Sequence, residues 1–200
     1  MAPVVLRVVA AIVGAIARQG EVAVGLAGFD GATIVARRRP ESVVTDDAGD
    51  RRSVDYGAVG DIVEVRRGVL DALLATGVIP VITPLAAGPD GTVLNVNADT
   101  VAAEVAVAIG AAKLVFVTRV AGILADEADP RSVLTRVTGA ELDGLERSGA
   151  IRGGMRPKVA AIRRALAGGV ARVHVVDGRR PGAVLEEVFT TEGAGTLIVA

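Results

Sequence analysis

The sequence predicts an α/β fold: a three-layer α/β/α arrangement around a mostly parallel sheet. Three observations point there. Short apolar runs alternate with segments whose apolar residues recur at helical spacing, most regularly from Ala98 onward. The runs 78–83 (VIPVIT), Lys113–Thr118 (KLVFVT) and 172–176 (RVHVV) are nearly unbroken in apolar character, as strands covered on both faces must be. Glycine, with 25 residues, falls mostly between the periodic segments, which fits many short connections.

At the N-terminus, Val5, Val8, Val9, Ile12 and Ile16 recur at helical spacing, so 4–18 is expected to be a helix closed by Gly20. The apolar run 8–17 and Ala15-Ile16-Ala17 also resemble a signal peptide, but a single arginine ahead of the run favours the helix, and the run is too short to span a membrane. Residues 21–27 (EVAVGLA) read as a buried strand, and Asp30-Gly31 as a turn into a strand at 33–37. The polar and charged stretch 37–56 reads as a surface excursion. A short strand at 61–65 precedes a helix at 66–76 with Val69, Leu70 and Leu73 on one face, ended by Gly77. After the strand 78–83 comes a turn at Pro89-Asp90-Gly91.

The second half alternates more cleanly. An alanine-rich helix at 98–109 stops at Gly110, and the strand Lys113–Thr118 follows. Thr138 with Glu141 three residues later forms a capping box for a helix reaching Ser148. Met155, Val159, Ile162 and Leu166 make the apolar stripe of the next helix, which Gly168-Gly169 ends. A strand at 172–176, a helix at 182–189 and a strand at 196–199 complete the chain, with no internal repeat.

Composition narrows the chemistry. Hydrophobic residues make up 51% of the chain and aromatics only 2%, so the core must be built of Val, Ala, Leu and Ile. A net charge of −1 with both signs dispersed implies no nucleic-acid partner and no polybasic membrane surface. Without cysteine there are no disulfides or thiolate metal sites, and with one histidine neither a His-based zinc site nor a Ser-His-Asp triad is expected. His174, on an apolar strand, reads as structural.

Two stretches concentrate polar groups where a strand gives way to a helix, the usual ligand edge of such sheets. The first is 94–99 (LNVNAD), where two amides and a carboxylate exceed what one helix cap needs, although any one of them could be just a cap. The second is 153–158 (GGMRPK): two glycines open a helix that carries Lys158 one turn in, a layout suited to phosphate. A Gly-Gly before a helix is often structural, and no Walker loop is present. The turn 118–124 (TRVAGIL) after a strand is a further candidate for nucleotide contact, and equally a plain strand-end turn.

In this order, the motif NVNAD at 95–99, the segment 114–124, GGMRPKV at 153–159, the segment 168–179 and GAGT at 193–196 resemble the amino-acid kinase family, and within it the acetylglutamate kinases. The resemblance implies phosphoryl transfer from ATP, with Mg2+ carried by the nucleotide, to the side-chain carboxylate of N-acetyl-L-glutamate, a step of arginine biosynthesis. It implies that Lys158 and Asp99 are catalytic, Lys158 on the transferring group and Asp99 orienting lysines, and that Asn95 holds the amino-acid substrate. Thr118, Gly122, Ile123, Leu124, Gly153, Gly154 and Met155 would line the nucleotide. It further implies an amino-acid-binding lobe at 1–92 and a nucleotide-binding lobe at 93–200 on one continuous sheet, a homodimer, a cytoplasmic location and no metal site of the protein's own.

The sequence also departs from the family. Its members begin with a strand carrying a lysine and a Gly-Gly pair, then a second glycine-rich turn and a substrate-binding arginine; none of these is found ahead of the strand at 21–27. Arg119 stands where the family has an aspartate. These departures predict weak turnover for the 200-residue chain. They leave open a non-catalytic nucleotide-binding or interaction protein of the same fold; an aminoadipate kinase-like enzyme is a further alternative.

Overall fold

The structure, a computed structural model, describes residues 2–45, 51–126, 128–129 and 131–200. Its contacts divide the chain into two units, Met1–Val101 and Ala102–Ala200.

In chain order the first unit holds α1 (Ala2–Ala17), β1 (Ala23–Ala27), a 3-10 turn (Asp30–Ala32), β2 (Ile34–Arg38), β3 (Ser42–Thr45), β4 (Arg51–Val54), β5 (Gly60–Val65), α2 (Gly68–Ala75), β6 (Ile79–Thr83), β7 (Leu85–Ala87) and β8 (Val93–Asn95). The helix α3 (Ala98–Ala108) begins in it. β1 and β6 pair in parallel, from Ala23 opposite Ile79 to Ala27 opposite Thr83. A four-stranded sheet runs in the order β5-β2-β7-β8. The ladders β2–β5 and β7–β8 are antiparallel, and the predicted Pro89-Asp90-Gly91 turn closes the second of them. Leu26, Ile34, Ala36, Leu70, Ala86, Leu94, Val96 and Val101 are its buried apolar residues among those described.

Several expectations need correction here. Within this unit alone there are three separate sheets rather than one continuous sheet. The stretch 21–27 is not a buried strand: pairing starts at Ala23, only Leu26 within it is buried, and Val22 and Val24 are exposed. The run 78–83 has a single partner strand among the described residues, and Ile79 is exposed. An apolar run tells that a strand could be covered on both faces, not that both faces are in fact covered. The polar excursion contains the antiparallel hairpin β3–β4, which its polar composition hides; its residues 46–50 lie outside the described residues. The strands β7 and β8 are three residues each, too short for a period-two pattern to stand out.

The second unit holds β9 (Lys113–Thr118), β10 (Arg136–Thr138), α4 (Gly139–Arg147), α5 (Met155–Ala167), β11 (Arg172–Asp177), α6 (Ala183–Phe189) and β12 (Gly195–Val199). Its sheet runs β10-β12-β11-β9, with β9–β11 and β10–β12 parallel and β11–β12 antiparallel. The α/β class stands, and the parallel ladders of this unit lie where the strand–helix alternation was cleanest. Only β11 among the three long apolar runs is both central and buried, from Val173 through Val176. β9 pairs with β11 alone among the described residues; Phe116 turns inward while Val117 is exposed.

The core of this unit is aliphatic, as the composition requires. Val159, Ile162 and Ala165 of α5 join Val173 and Val175 of β11, Ile198 of β12 and Leu142 of α4, all fully buried. The capping box at the start of α4 forms as its sequence predicts: the Thr138 hydroxyl accepts from the Glu141 N–H at 3.3 Å, and the Thr138 N–H donates to Glu141 Oε2 at 2.7 Å. The donated Thr138 N–H holds the Glu141 carboxyl below its ordinary pKa, with the Thr138 hydroxyl adding to the effect. A depressed folded-state pKa gives stability that is present above the unfolded pKa and fades as pH falls through the folded one. Replacing Thr138 by alanine is expected to cost about 1 kcal/mol at neutral pH, read as a lowered thermal midpoint. The loss should shrink in acid, where Glu141 is protonated in both proteins.

His174 is buried in β11, and its Nδ1 lies 2.7 Å from Glu187 Oε1 on α6. The other carboxylate oxygen accepts the N–H groups of Ala194 at 2.7 Å and Gly195 at 2.9 Å. One buried carboxylate thereby ties α6, β11 and the start of β12 together. This is the structural role the sequence suggests for the histidine.

Candidate functional site

The second unit contains a cleft of about 390 Å³ whose two walls come from the two predicted glycine-bearing segments. Thr118, Gly122, Ile123 and Leu124 form one wall, and Gly153, Gly154, Met155 and Lys158 the other. All seven residues predicted to line a nucleotide, together with Lys158, therefore share one cavity.

The first wall is the turn that leaves β9. The Thr118 hydroxyl accepts from the Val120 N–H at 2.9 Å, which bends the chain as soon as the strand ends. The Ile123 N–H donates to the Thr196 hydroxyl at 2.8 Å, and that hydroxyl donates to the Leu134 carbonyl at 2.6 Å. Thr196 is fully buried, so the turn is pinned to β12. Gly122 is required by this approach, because a Cβ at that position would collide with Thr196 Oγ1.

The second wall is the entry to α5. Gly153 has φ +48°, in the left-handed region that glycine adopts without strain. No side chain caps the helix, and no acidic residue lies in its first turn. Fewer N–H groups are open here than a bare helix start would give. The Met155 and Arg156 N–H groups already donate to the carbonyls of Arg152 and Gly153, and position 157 is a proline. Among the described residues the N–H groups of Gly153 and Gly154 donate to no acceptor, so they remain for an anion. Lys158 places its ammonium 4.7 Å from the centroid of the Phe116 ring, on the strand beneath the cleft.

Sequence reasoning missed part of the lining. Ala150, Ile151 and Arg152 belong to the second wall. The signal was their position directly before Gly153, since a segment that leads into a ligand-facing turn shares its face. Arg119 and Val120 complete the first wall.

In the first unit the NVNAD stretch divides its labour. Asn97 is the cap of α3: its side-chain oxygen accepts from the Thr100 N–H at 3.0 Å. Asn95 ends β8, half-buried, with its N–H donated to the Ala58 carbonyl at 2.7 Å. Among the described residues its side-chain amide has no hydrogen-bond partner, so it is not a cap. Asp99 lies in the first turn of α3, where a carboxylate is favoured by the helix dipole. Among the described residues no group of three or more His, Asp or Glu side chains is arranged to hold a metal ion, and no helix is long and apolar enough to cross a membrane.

The model of the amino acid kinase family matches residues 4–177. The chain belongs to the amino acid kinase family. It is 51% identical over 181 residues to an acetylglutamate kinase of Myxococcus xanthus, covering 90% of this chain and 59% of that protein. It is 50% identical over 189 residues to one of Frankia casuarinae, covering 94% of this chain and 50% of that protein. The chain thus spans between half and three-fifths of the length of these two relatives. Among solved structures it is similar to N-acetylglutamate synthase from Neisseria gonorrhoeae, with a TM-score of 0.72 at 26% identity, covering 90% of this chain and 38% of that one. Isopentenyl phosphate kinase, at 17% identity, shares the fold with a TM-score of 0.62 over 96% of this chain and 66% of its own.

Proposed function

We propose that this family member is an acetylglutamate kinase, transferring the terminal phosphoryl group of ATP to the side-chain carboxylate of N-acetyl-L-glutamate. The observation that carries the reading is the cleft in which Lys158, Gly153 and Gly154 meet the turn after β9. The two relatives named above, each at least 50% identical, support the choice of acceptor.

The chemistry suits the residues. A carboxylate oxygen attacks the terminal phosphorus, the bond from phosphorus to the bridging oxygen breaks, and ADP leaves with that electron pair. The nucleophile is already an anion, so no general base has to remove a proton. What remains is electrostatic work: holding two anions in line and stabilising the phosphoryl group in flight. Lys158 supplies positive charge to that group, and the Gly153 and Gly154 N–H groups serve the phosphates. Mg2+ enters chelated by the nucleotide. Asp99 is assigned to the catalytic machinery, and the unpartnered Asn95 amide to the acceptor. Residues 1–92 serve as the amino-acid lobe and 93–200 as the nucleotide lobe. Exposed Leu6, Val8 and Ile12 on α1 are consistent with a homodimer, and a biosynthetic step of this kind belongs in the cytoplasm.

Incubating the protein with ATP, N-acetyl-L-glutamate and hydroxylamine should trap the acyl phosphate as a hydroxamate, with ADP formed only when the acceptor is present. Acceptor-independent ATP loss, or ATP binding with no hydroxamate, would count against the proposal. Replacing Asn95 by alanine should raise the KM for N-acetyl-L-glutamate about tenfold or more while leaving that for ATP unchanged, because the amide contacts a charged acceptor.

A further inference from the structure

Arg119 is the first residue beyond β9 and lines the same cleft as Lys158 and Arg152. Its side chain is exposed, and among the described residues no hydrogen bond or ion pair holds it. Arg152 differs, because its Nε donates to the Gly149 carbonyl at 2.5 Å. Among the described residues that line the cleft there is no aspartate or glutamate, while Arg119, Arg152 and Lys158 all belong to the lining. Such a surface favours a ligand carrying several negative charges.

The strand sets the spacing of the charges. The Lys158 ammonium lies over the ring of Phe116. At about 3.3 Å of rise per residue, β9 ends at Thr118 roughly 7 Å beyond Phe116, and Arg119 follows it in the turn. A long side chain that folds back from there brings its guanidinium to within the span of a di- or triphosphate chain reaching to Lys158. The apolar lining, Ile123 and Leu124 among it, is left for the base.

We propose that Arg119 is a phosphate-binding residue of the nucleotide site, gripping the phosphate chain at the end away from Lys158 and making affinity depend on the number of phosphates. This rests on the nucleotide reading of the cleft. A planar guanidinium suits the task, since it can give two parallel hydrogen bonds to phosphate oxygens.

The test is calorimetric titration of the unaltered protein, Arg119→Ala and Arg119→Lys with ATP, ADP and adenosine. Arg119→Ala should lose about ten- to a hundredfold in affinity for ATP and ADP and nothing for adenosine, whose undiminished binding also reports an intact fold. Arg119→Lys should recover part of the loss, because charge is restored without the fork. Added salt should weaken ATP binding more in the unaltered protein than in Arg119→Ala. Two results would overturn the proposal: ATP affinity unchanged in Arg119→Ala, or an equal loss for adenosine, which would put the guanidinium on the base or ribose. In both of those cases the unaltered protein still binds ATP and the nucleotide reading survives. An unaltered protein that binds none of the three ligands would sink that reading, and this proposal with it.

Discussion

Lys158→Met is expected to lower kcat by about a hundred- to a thousandfold while moving the KM for ATP little, because the contact matters most as charge shifts onto the transferring phosphoryl. Methionine keeps an unbranched stem next to the Phe116 ring and removes only the charge, so the walls of the cleft should stay in place. A unit charge about 4 Å from an anion is attracted by roughly 4 kcal/mol at an effective dielectric of 20, which is enough to account for a loss of that size. The measurement is steady-state turnover with N-acetyl-L-glutamate, set beside ATP affinity from direct titration. A variant that keeps kcat within about tenfold would remove Lys158 from the catalytic machinery.

Glu187→Ala is expected to be the most destabilising single change in the second unit, costing about 3 kcal/mol or more. The truncation leaves the Ala194 and Gly195 N–H groups and His174 Nδ1 facing a space that water reaches poorly. Each orphaned buried group costs about 1–3 kcal/mol, and a cavity adds to the sum. The loop between α6 and β12 should loosen first, since the N–H groups of its last residue and of the first residue of β12 have the carboxylate as their acceptor. Urea denaturation gives the loss, and hydrogen exchange at Ala194 and Gly195 localises it. A shift below about 1 kcal/mol would mean that water or a neighbouring carbonyl replaces the carboxylate without penalty.

What was legible in the sequence depended on local chemistry. The capping box of α4, the apolar stripe of α5 and the strand Lys113–Thr118 emerge as read, because each is specified by residues within one or two turns of itself. The cleft walls were legible for the same reason, as glycines and a lysine at fixed offsets from strand and helix ends. What failed depended on neighbours. The run 78–83 and β9 have the composition of central strands, yet each pairs on one side only among the described residues. Composition cannot report which edges a fold leaves unpaired. The antiparallel insertion of β12 beside β11 escaped as well, since strand direction is set by the connection and not by the strand's own residues. Asn95 and Asn97 are the same residue type two positions apart, and only the structure separates the cap from the unbonded amide.

The aromatic ring beneath Lys158 bears on how quickly the site can respond to its ligand. In open water an ammonium holds a tight shell of solvent that must be shed before a phosphate oxygen can approach. With its nitrogen 4.7 Å from the Phe116 centroid, part of that shell is replaced by a ring face whose quadrupole attracts the cation but forms no strong hydrogen bond to it. Folding has therefore already carried out some of the dehydration, and the arriving anion displaces fewer tightly held waters. In a chain with only three phenylalanines and no tryptophan, one of these rings lies under the ammonium that the proposed function assigns to the transferring group.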